Sequence, residues 1–129
     1  MKAHLSHIGL LITNLEKARA FYGDILGFQE MERPSFLTKG LWYDLGAFQL
    51  NLMLHEEARS PSIHPLNPSV QPHFALAMSQ AGINQTLKRL EKADIEFVKE
   101  PKKSPTGVWQ AFFCDFDKNM IEINDEAKV

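Results

Sequence analysis

The chain contains a single cysteine, Cys114, among its 129 residues. One thiol cannot form an intramolecular disulfide, so we expect a reducing compartment, namely the cytoplasm. No apolar run approaches the roughly 20 residues that a helix needs to span a bilayer. The first residues also lack the continuous apolar core of a signal peptide. These absences predict a cytoplasmic protein without a membrane partner.

Neither sign of charge predominates. The chain has 14 Lys and Arg residues against 16 Asp and Glu residues, which gives a formal net charge of -2. A chain this balanced has no overall basic field to attract nucleic acid, so nucleic acid is not an expected partner. Hydrophobic residues make up 44% and charged residues 23%, a globular composition that excludes wholesale disorder. The length predicts a single domain.

The pattern of apolar residues occurs twice along the chain. In the first half, a strand-like run at 7–12 is followed by a helix N-cap at Asn14 and an amphipathic stripe that ends at Gly27. Further strands are predicted from residue 28, at 41–45 and at 48–54. The second half repeats this order, with a strand at 73–78, a helix from about residue 81, and strands at 95–98, 108–114 and 120–124. The predicted fold class is α+β, with two pseudo-symmetric βαβββ modules at about 1–57 and about 72–126.

A proline-rich segment separates the two modules. Residues 55–72 include four prolines, a density that is incompatible with a regular helix or an inner strand: Pro61, Pro65, Pro68 and Pro72. We interpret about 58–71 as a connector. A lid over a functional site is the alternative.

The repeat gives equivalent positions to four polar residues. His7 and His73 stand at the head of the first strand of each module, and Asn51 and Glu122 lie in the closing strands. Apolar neighbours flank both closing-strand residues, so alternation turns Asn51 and Glu122 away from the helices, onto a face shared with the histidines. Two imidazoles and one carboxylate can bind one face of a divalent ion, such as Fe, Mn, Ni, Co or Zn, and leave positions open. Ordinary surface roles for these residues are the alternative.

Three segments of the chain resemble the vicinal oxygen chelate superfamily: HIGL at 7–10, FYGDILGF at 21–28 and FCDFDKNMIE at 113–122. This superfamily includes glyoxalase I, extradiol dioxygenases, fosfomycin-resistance enzymes and bleomycin-binding proteins. The resemblance implies that the modules form an open, cup-shaped mixed sheet around a divalent metal ion. It also implies a small-molecule substrate that chelates the ion through vicinal oxygens, and a homodimer. The metal ligands of the family correspond to His7, His73 and Glu122.

Departures from the family pattern reduce the number of family reactions that we expect of this chain. Asn51 stands where the family often has Glu, Gln or His, and an amide cannot take a proton from carbon. Isomerisations that rely on a glutamate base are therefore disfavoured as predicted functions. Extradiol ring cleavage matches the ligand set, although Phe112 replaces a tyrosine that the family carries ten residues before the glutamate. Lys118 replaces the glycine of a family turn, which predicts a changed backbone there.

Ring cleavage by a dioxygenase therefore ranks first among the predicted functions. Glu122 and Asn51 are the predicted catalytic residues. Four aromatic residues are predicted to line the substrate site: Trp42, Tyr43, Trp109 and Phe113. The alternatives are a lyase or isomerase like glyoxalase I, a transferase of the fosfomycin type, and a metal-free drug-binding protein of the bleomycin-resistance type.

Overall fold

A computed structural model describes residues 1–35, 38–58 and 70–126. Its contacts divide the chain into two compact units, Met1–Arg59 and Ser60–Val129. The predicted connector at about 58–71 lies mainly outside the described residues. No helix in the described ranges is long and apolar enough to cross a membrane.

The first unit is a βαβββ module. Its elements are β1 (His7–Ile12), α1 (Leu15–Arg19), a π-helix (Ala20–Ile25), β2 (Gln29–Met31), β3 (Gly40–Asp44) and β4 (Gln49–Leu54). The strands form one mixed sheet in the order β1-β4-β3-β2, in which β1 runs parallel to β4 and the other neighbours are antiparallel. Parallel pairing brings the first strand beside the last, so residues far apart in sequence become neighbours.

The predicted start and end of the first helical segment are confirmed. Asn14 is extended, and its side-chain oxygen accepts from the backbone N–H of Lys17 at 2.9 Å. Gly27 has a φ of +75°, the left-handed conformation that commonly follows a helix. Between them, α1 passes into a π-helix, in which the N–H of Leu26 bonds to the carbonyl of Phe21 at 2.9 Å. Apolar spacings of three and four do not distinguish such a wider turn from a regular α-helix.

One face of the first sheet forms the core of this unit. The aromatic rings of Tyr22 and Tyr43 lie 6.0 Å apart between their centroids, so the helical segment packs on this face. The buried apolar side chains are Ile12, Ala18, Phe21, Tyr22, Leu26, Leu41, Tyr43, Leu50 and Leu52. Residues that alternate with these strand positions, including Asn51 and Trp42, point to the opposite face.

The second unit repeats the architecture. Its elements are β5 (Phe74–Ala77), α2 (Gln80–Lys92), β6 (Phe97–Lys103), β7 (Trp109–Cys114) and β8 (Met120–Asn124). The sheet order is β5-β8-β7-β6, with β5 parallel to β8. The buried apolar side chains are Leu76, Ile83, Leu90, Ala111, Phe112, Phe113, Met120, Ile121 and Ile123. The predicted α+β fold class with two βαβββ modules is confirmed.

The turn between β7 and β8 is held by one carboxylate. Asp115 accepts from the backbone N–H groups of Asp117 and Asn119, both at 2.9 Å, through its Oδ1. Lys118 lies inside this turn with a φ of +64°, in the region that favours glycine. Lys118, which replaces the family glycine, therefore adopts a glycine-like conformation. Its Cβ causes local backbone strain there.

We expect Lys118→Gly to raise the free energy of unfolding by up to about 1 kcal/mol, because glycine tolerates a positive φ without a Cβ clash. Urea unfolding at neutral pH measures the change. Lys88→Gly is the matched control, since Lys88 is exposed within α2 and glycine there should lower stability by about 1 kcal/mol. An equal loss of unfolding free energy in both variants would contradict backbone strain at Lys118.

Tyr43 gives a second prediction, because its hydroxyl is buried and has no hydrogen-bond partner among the described residues. Burial is the main cause that raises the pKa of Tyr43 from 10.0 to about 12, with a smaller contribution from Glu30 and opposition from Arg19. The folded protein thus holds the phenolic proton more tightly than the unfolded chain. This contribution to stability is complete below pH 10 and is lost as the pH rises towards 12.

We expect Tyr43→Phe to remove this alkaline loss. At neutral pH the variant should be at least as stable as the wild type, since no hydrogen bond is broken. Unfolding free energies measured in both proteins from neutral pH to pH 12 isolate the effect, because the other alkaline groups are common to both. If the unfolding free energies of the two proteins fell in parallel between pH 10 and pH 12, Tyr43 would not be the cause of the alkaline loss.

Candidate metal centre

The second unit brings a histidine and a carboxylate of the predicted site together. His73 Nε2 lies 3.3 Å from Glu122 Oε1. His73 directly precedes β5, and Glu122 is opposite Ala75 in the parallel pair of β5 and β8. Because Ala75 is two residues beyond His73, strand alternation puts the imidazole and the carboxylate on the same face of the sheet.

A backbone carbonyl fixes the tautomer of His73. Its Nδ1 lies 2.8 Å from the carbonyl oxygen of Gln71, which can only accept, so Nδ1 carries a proton. In the neutral ring Nε2 then presents a lone pair towards Glu122 Oε1. Two acceptors at this distance repel each other unless a cation lies between them, either a proton or a metal ion. A ring N–H donated to a carbonyl is the usual second interaction of a metal-binding histidine.

The two oxygens of Glu122 have different surroundings. Oε1 faces His73, whereas Oε2 accepts from Asn124 Nδ2 at 2.8 Å and, more weakly, from Gln110 Nε2 at 3.5 Å. Glu122 is only 7% exposed, so these protein groups largely replace water around it. The carboxylate is thus oriented with one oxygen engaged and the other directed at the imidazole.

The first unit places its two candidate residues in the same register. Asn51 is opposite Gly9, two residues beyond His7, just as Glu122 is opposite the residue two beyond His73. His7 is exposed, and its Nδ1 lies 3.1 Å from Ser6 Oγ. Asn51 Oδ1 is buried and has no hydrogen-bond partner among the described residues. A buried oxygen without a hydrogen bond lowers the stability of the folded protein by about 1–3 kcal/mol. It therefore requires an explanation, such as a ligand that the chain binds.

The donor chemistry fits a divalent transition metal. Neutral imidazole nitrogen, carboxylate oxygen and amide oxygen together suit Fe, Mn, Ni, Co or Zn. Among the described residues, no group of three or more His, Cys, Asp or Glu side chains is arranged to hold a metal ion. The ligand set of His7, His73 and Glu122 therefore stays a prediction.

The thiol of Cys114 is not suited to bind a metal ion. Burial, followed by the charge of Asp115, raises the pKa of its thiol to about 11 against the opposing effect of Lys118. The thiol is therefore protonated at neutral pH, whereas metal binding needs the thiolate. Its Sγ lies 3.8 Å from Met120 Sδ, the contact of a small apolar residue.

The aromatic residues predicted to line the substrate site separate into two groups. Tyr43 and Phe113 are 0% exposed and belong to the cores of their units. Trp109 shares the face of Phe113, opposite to that of Glu122, because strand positions alternate. Only Trp42 is on the face of a site residue, directly beside Asn51. The structure thus places three of the four rings away from Asn51 and Glu122, because the sequence pattern grouped these rings by type and not by face, and a role of the four in substrate binding stays a prediction.

Three further residues surround the pair, of which the sequence pattern had indicated only Phe112, as the replacement of a family tyrosine. Asn124 and Gln110 contact Glu122, and the ring of Phe112 lies edge-on to His73 with 5.4 Å between centroids. Asn124 could have been found, because it follows Glu122 by two residues on the same strand. Gln110 and Phe112 required the register of β7 against β8, which the sequence pattern does not specify.

Comparisons with known proteins agree with this architecture. The family model of the Glyoxalase/Bleomycin resistance protein/Dioxygenase superfamily matches residues 4–123. No curated protein matches the chain.

Solved structures of similar fold include three bacterial proteins. A glyoxalase family protein from Bacillus anthracis has a TM-score of 0.77 and 21% identity over 97% of this chain and 96% of that chain. Lactoylglutathione lyase from Agrobacterium tumefaciens has a TM-score of 0.71 and 21% identity over 97% and 95%. A mutant of the fosfomycin resistance protein FosX from Listeria monocytogenes, in complex with Mn(II) and 1S,2S-dihydroxypropylphosphonic acid, has a TM-score of 0.77 and 21% identity over 97% and 93%.

Identities at this level establish a common fold and no shared activity. The family match covers nearly the whole chain, includes His7, His73 and Glu122, and agrees with the two βαβββ modules. The chain therefore belongs to the Glyoxalase/Bleomycin resistance protein/Dioxygenase superfamily.

Proposed function

We propose that the chain is a divalent-metal-dependent enzyme that acts on a small substrate with two vicinal oxygens, and that His7, His73 and Glu122 hold the ion. One observation carries the proposal. His73 Nε2 and Glu122 Oε1 lie 3.3 Å apart, while the other ring nitrogen is engaged by the Gln71 carbonyl. This arrangement supports a shared cation, because it turns two of the three proposed ligands towards each other.

The side chains have separate roles in this proposal. When bound, the ion would act as a Lewis acid towards the vicinal oxygens of the substrate. The Gln71 carbonyl keeps the His73 ring from rotating, and Glu122 supplies the negative charge. The amide oxygen of Asn51, which lacks a partner among the described residues, would accept a hydrogen bond from a substrate hydroxyl or from a water molecule. It cannot remove a proton from carbon, which disfavours isomerisation through a base at this position.

The comparison with FosX supports the same class of ligand. That protein holds Mn(II) together with a phosphonic acid that carries two neighbouring hydroxyl groups. A fold of this kind therefore accommodates a divalent ion and a vicinal diol in one crystal structure. For this chain, His7, His73 and Glu122 are the donors that we propose for such an ion.

Among reactions on vicinal oxygens, we propose extradiol cleavage of a catechol by Fe(II) and O₂. Both atoms of O₂ enter the product as the ring bond beside the two hydroxyl-bearing carbons breaks, so no further reductant is needed. Two histidines and one carboxylate are the ligands typical of non-haem Fe(II) oxygenases. Trp42, next to Asn51 on the same sheet face, provides a partly exposed aromatic surface for such a ring.

Metal content tests the ligand set. Protein purified without chelators should contain close to one divalent ion per chain, as measured by mass spectrometry of the metals. His7→Ala, His73→Ala and Glu122→Ala should each abolish binding, because each removes one of three ligands. Asn51→Ala should weaken binding only modestly. His55→Ala is the matched control and should bind normally, since His55 is exposed and is not one of the proposed ligands. Full retention of metal in His73→Ala would refute the assignment.

Catechol turnover tests the reaction. Protein loaded with Fe(II) should convert catechols in air to yellow ring-opened products, with one O₂ consumed per catechol. Glu122→Ala should lose this activity and His55→Ala should keep it. If a broad panel of catechols gives no colour with a metal-loaded protein, the isomerase or transferase chemistry of the superfamily takes precedence over ring cleavage.

A further inference from the structure

We propose that Asn124 and Gln110 are positioning residues that hold Glu122 Oε2, so that Glu122 binds the ion through Oε1 alone. This inference rests on the proposed function, because it concerns how one of the three ligands is presented. It adds two residues of this chain that the predicted site did not contain.

The orientation of the Asn124 amide is determined by its other contact. Asn124 Oδ1 accepts from the backbone N–H of Glu126 at 3.1 Å. The remaining group is therefore the amide nitrogen, which donates to Glu122 Oε2 at 2.8 Å. A flipped amide would bring two oxygens together and leave the Glu126 N–H facing a donor. Asn124 is only 2% exposed, so water cannot readily replace it as a donor.

Gln110 reaches the same oxygen from the next strand. It is paired with Asn124 across β7 and β8, and its Nε2 lies 3.5 Å from Glu122 Oε2. Both amide donors therefore converge on one carboxylate oxygen, and the imidazole of His73 faces the other. Two donors on Oε2 oppose rotation of the carboxylate, which would be needed for both oxygens to turn towards an ion beside His73.

The first unit provides an internal comparison. The positions equivalent to Asn124 and Gln110 around Asn51 are Met53 and Gly40, which are paired in the same register. Neither can donate a side-chain hydrogen bond. Side-chain amide donors thus stand at these positions beside the charged Glu122, whereas the equivalent positions beside the neutral Asn51 have none. A role in folding a βαβββ module would apply to both units, whereas a role in orienting a carboxylate applies to one.

Binding through one oxygen has a consequence for the substrate. A ligand that uses one oxygen occupies one coordination position, and a ligand that uses two occupies two. Holding Oε2 away keeps positions available for a substrate that itself binds through two oxygens. Asn124 and Gln110 therefore act on the reaction through Glu122 and do not need to touch the substrate.

The test measures the affinity of the whole chain for Mn(II), by calorimetry and by the electron paramagnetic resonance spectrum of the ion. Asn124→Leu keeps the volume and removes the donor, and we expect about 10–100-fold weaker binding, as is usual when a supporting contact of a ligand is lost. Gln110→Leu should cause a smaller loss, because its hydrogen bond is longer. Asn84→Leu is the matched control, since Asn84 is exposed on α2, and should bind as the wild type does.

A measurement on the wild-type protein keeps the test independent of how the variants fold. The side-chain amide protons of Asn124 should be protected from exchange with solvent, and their NMR signals should shift when Zn(II) is added. Rapid exchange and an unchanged signal in protein that binds Zn(II) would count against the hydrogen bond and overturn the inference.

The outcomes separate this inference from the proposed function. If the wild type binds no Mn(II), both are wrong. If the wild type binds Mn(II) and folded Asn124→Leu binds equally well, only the positioning role is wrong, and a lower melting temperature in that variant would identify a structural role.

Discussion

Parallel pairing between the first and last strand of each module determines where every candidate side chain lies. In an antiparallel sheet the neighbours of a strand follow it directly, but here the chain passes through a helix and two strands before it returns beside β1 or β5. The register of this closing pair sets Asn51 two residues beyond His7 and Glu122 two residues beyond His73. A shift of one residue in either pair would turn the polar side chain into the core.

The contact between His73 and Glu122 depends on this register and adds an electrostatic constraint. Because the Gln71 carbonyl accepts from Nδ1, the nearest atoms of a neutral His73 ring and of Glu122 are both acceptors, and they repel each other unless a proton or a metal ion lies between them. Glu122 is buried, so little water remains on its side of the contact to screen this repulsion. The amide donors on the far oxygen of Glu122 keep the carboxylate in place despite this repulsion. Such an arrangement is stable when a cation joins the two groups.

The sequence predicted the fold well because its signals are local. Asn14, Gly27 and the alternation in β4 and β8 each act within a few residues, and the structure confirms these elements. Side-chain partners depend on register between strands and were less accessible. Trp109 and Phe113 were assigned to the site as aromatic residues, although alternation places them opposite Glu122, and Asn124 was overlooked although alternation places it beside Glu122.

The Asn51 oxygen, which has no hydrogen-bond partner in the part of the chain that the structure describes, has a consequence for the proposed site. Folding has already removed water from this atom, so a ligand that donates a hydrogen bond to it regains the interaction without a new desolvation penalty on the protein side. A ligand of equal shape without that donor leaves the oxygen unsatisfied. Each 1.4 kcal/mol of such a difference corresponds to about tenfold in affinity, so in the proposed site this atom would favour a free hydroxyl over its methyl ether.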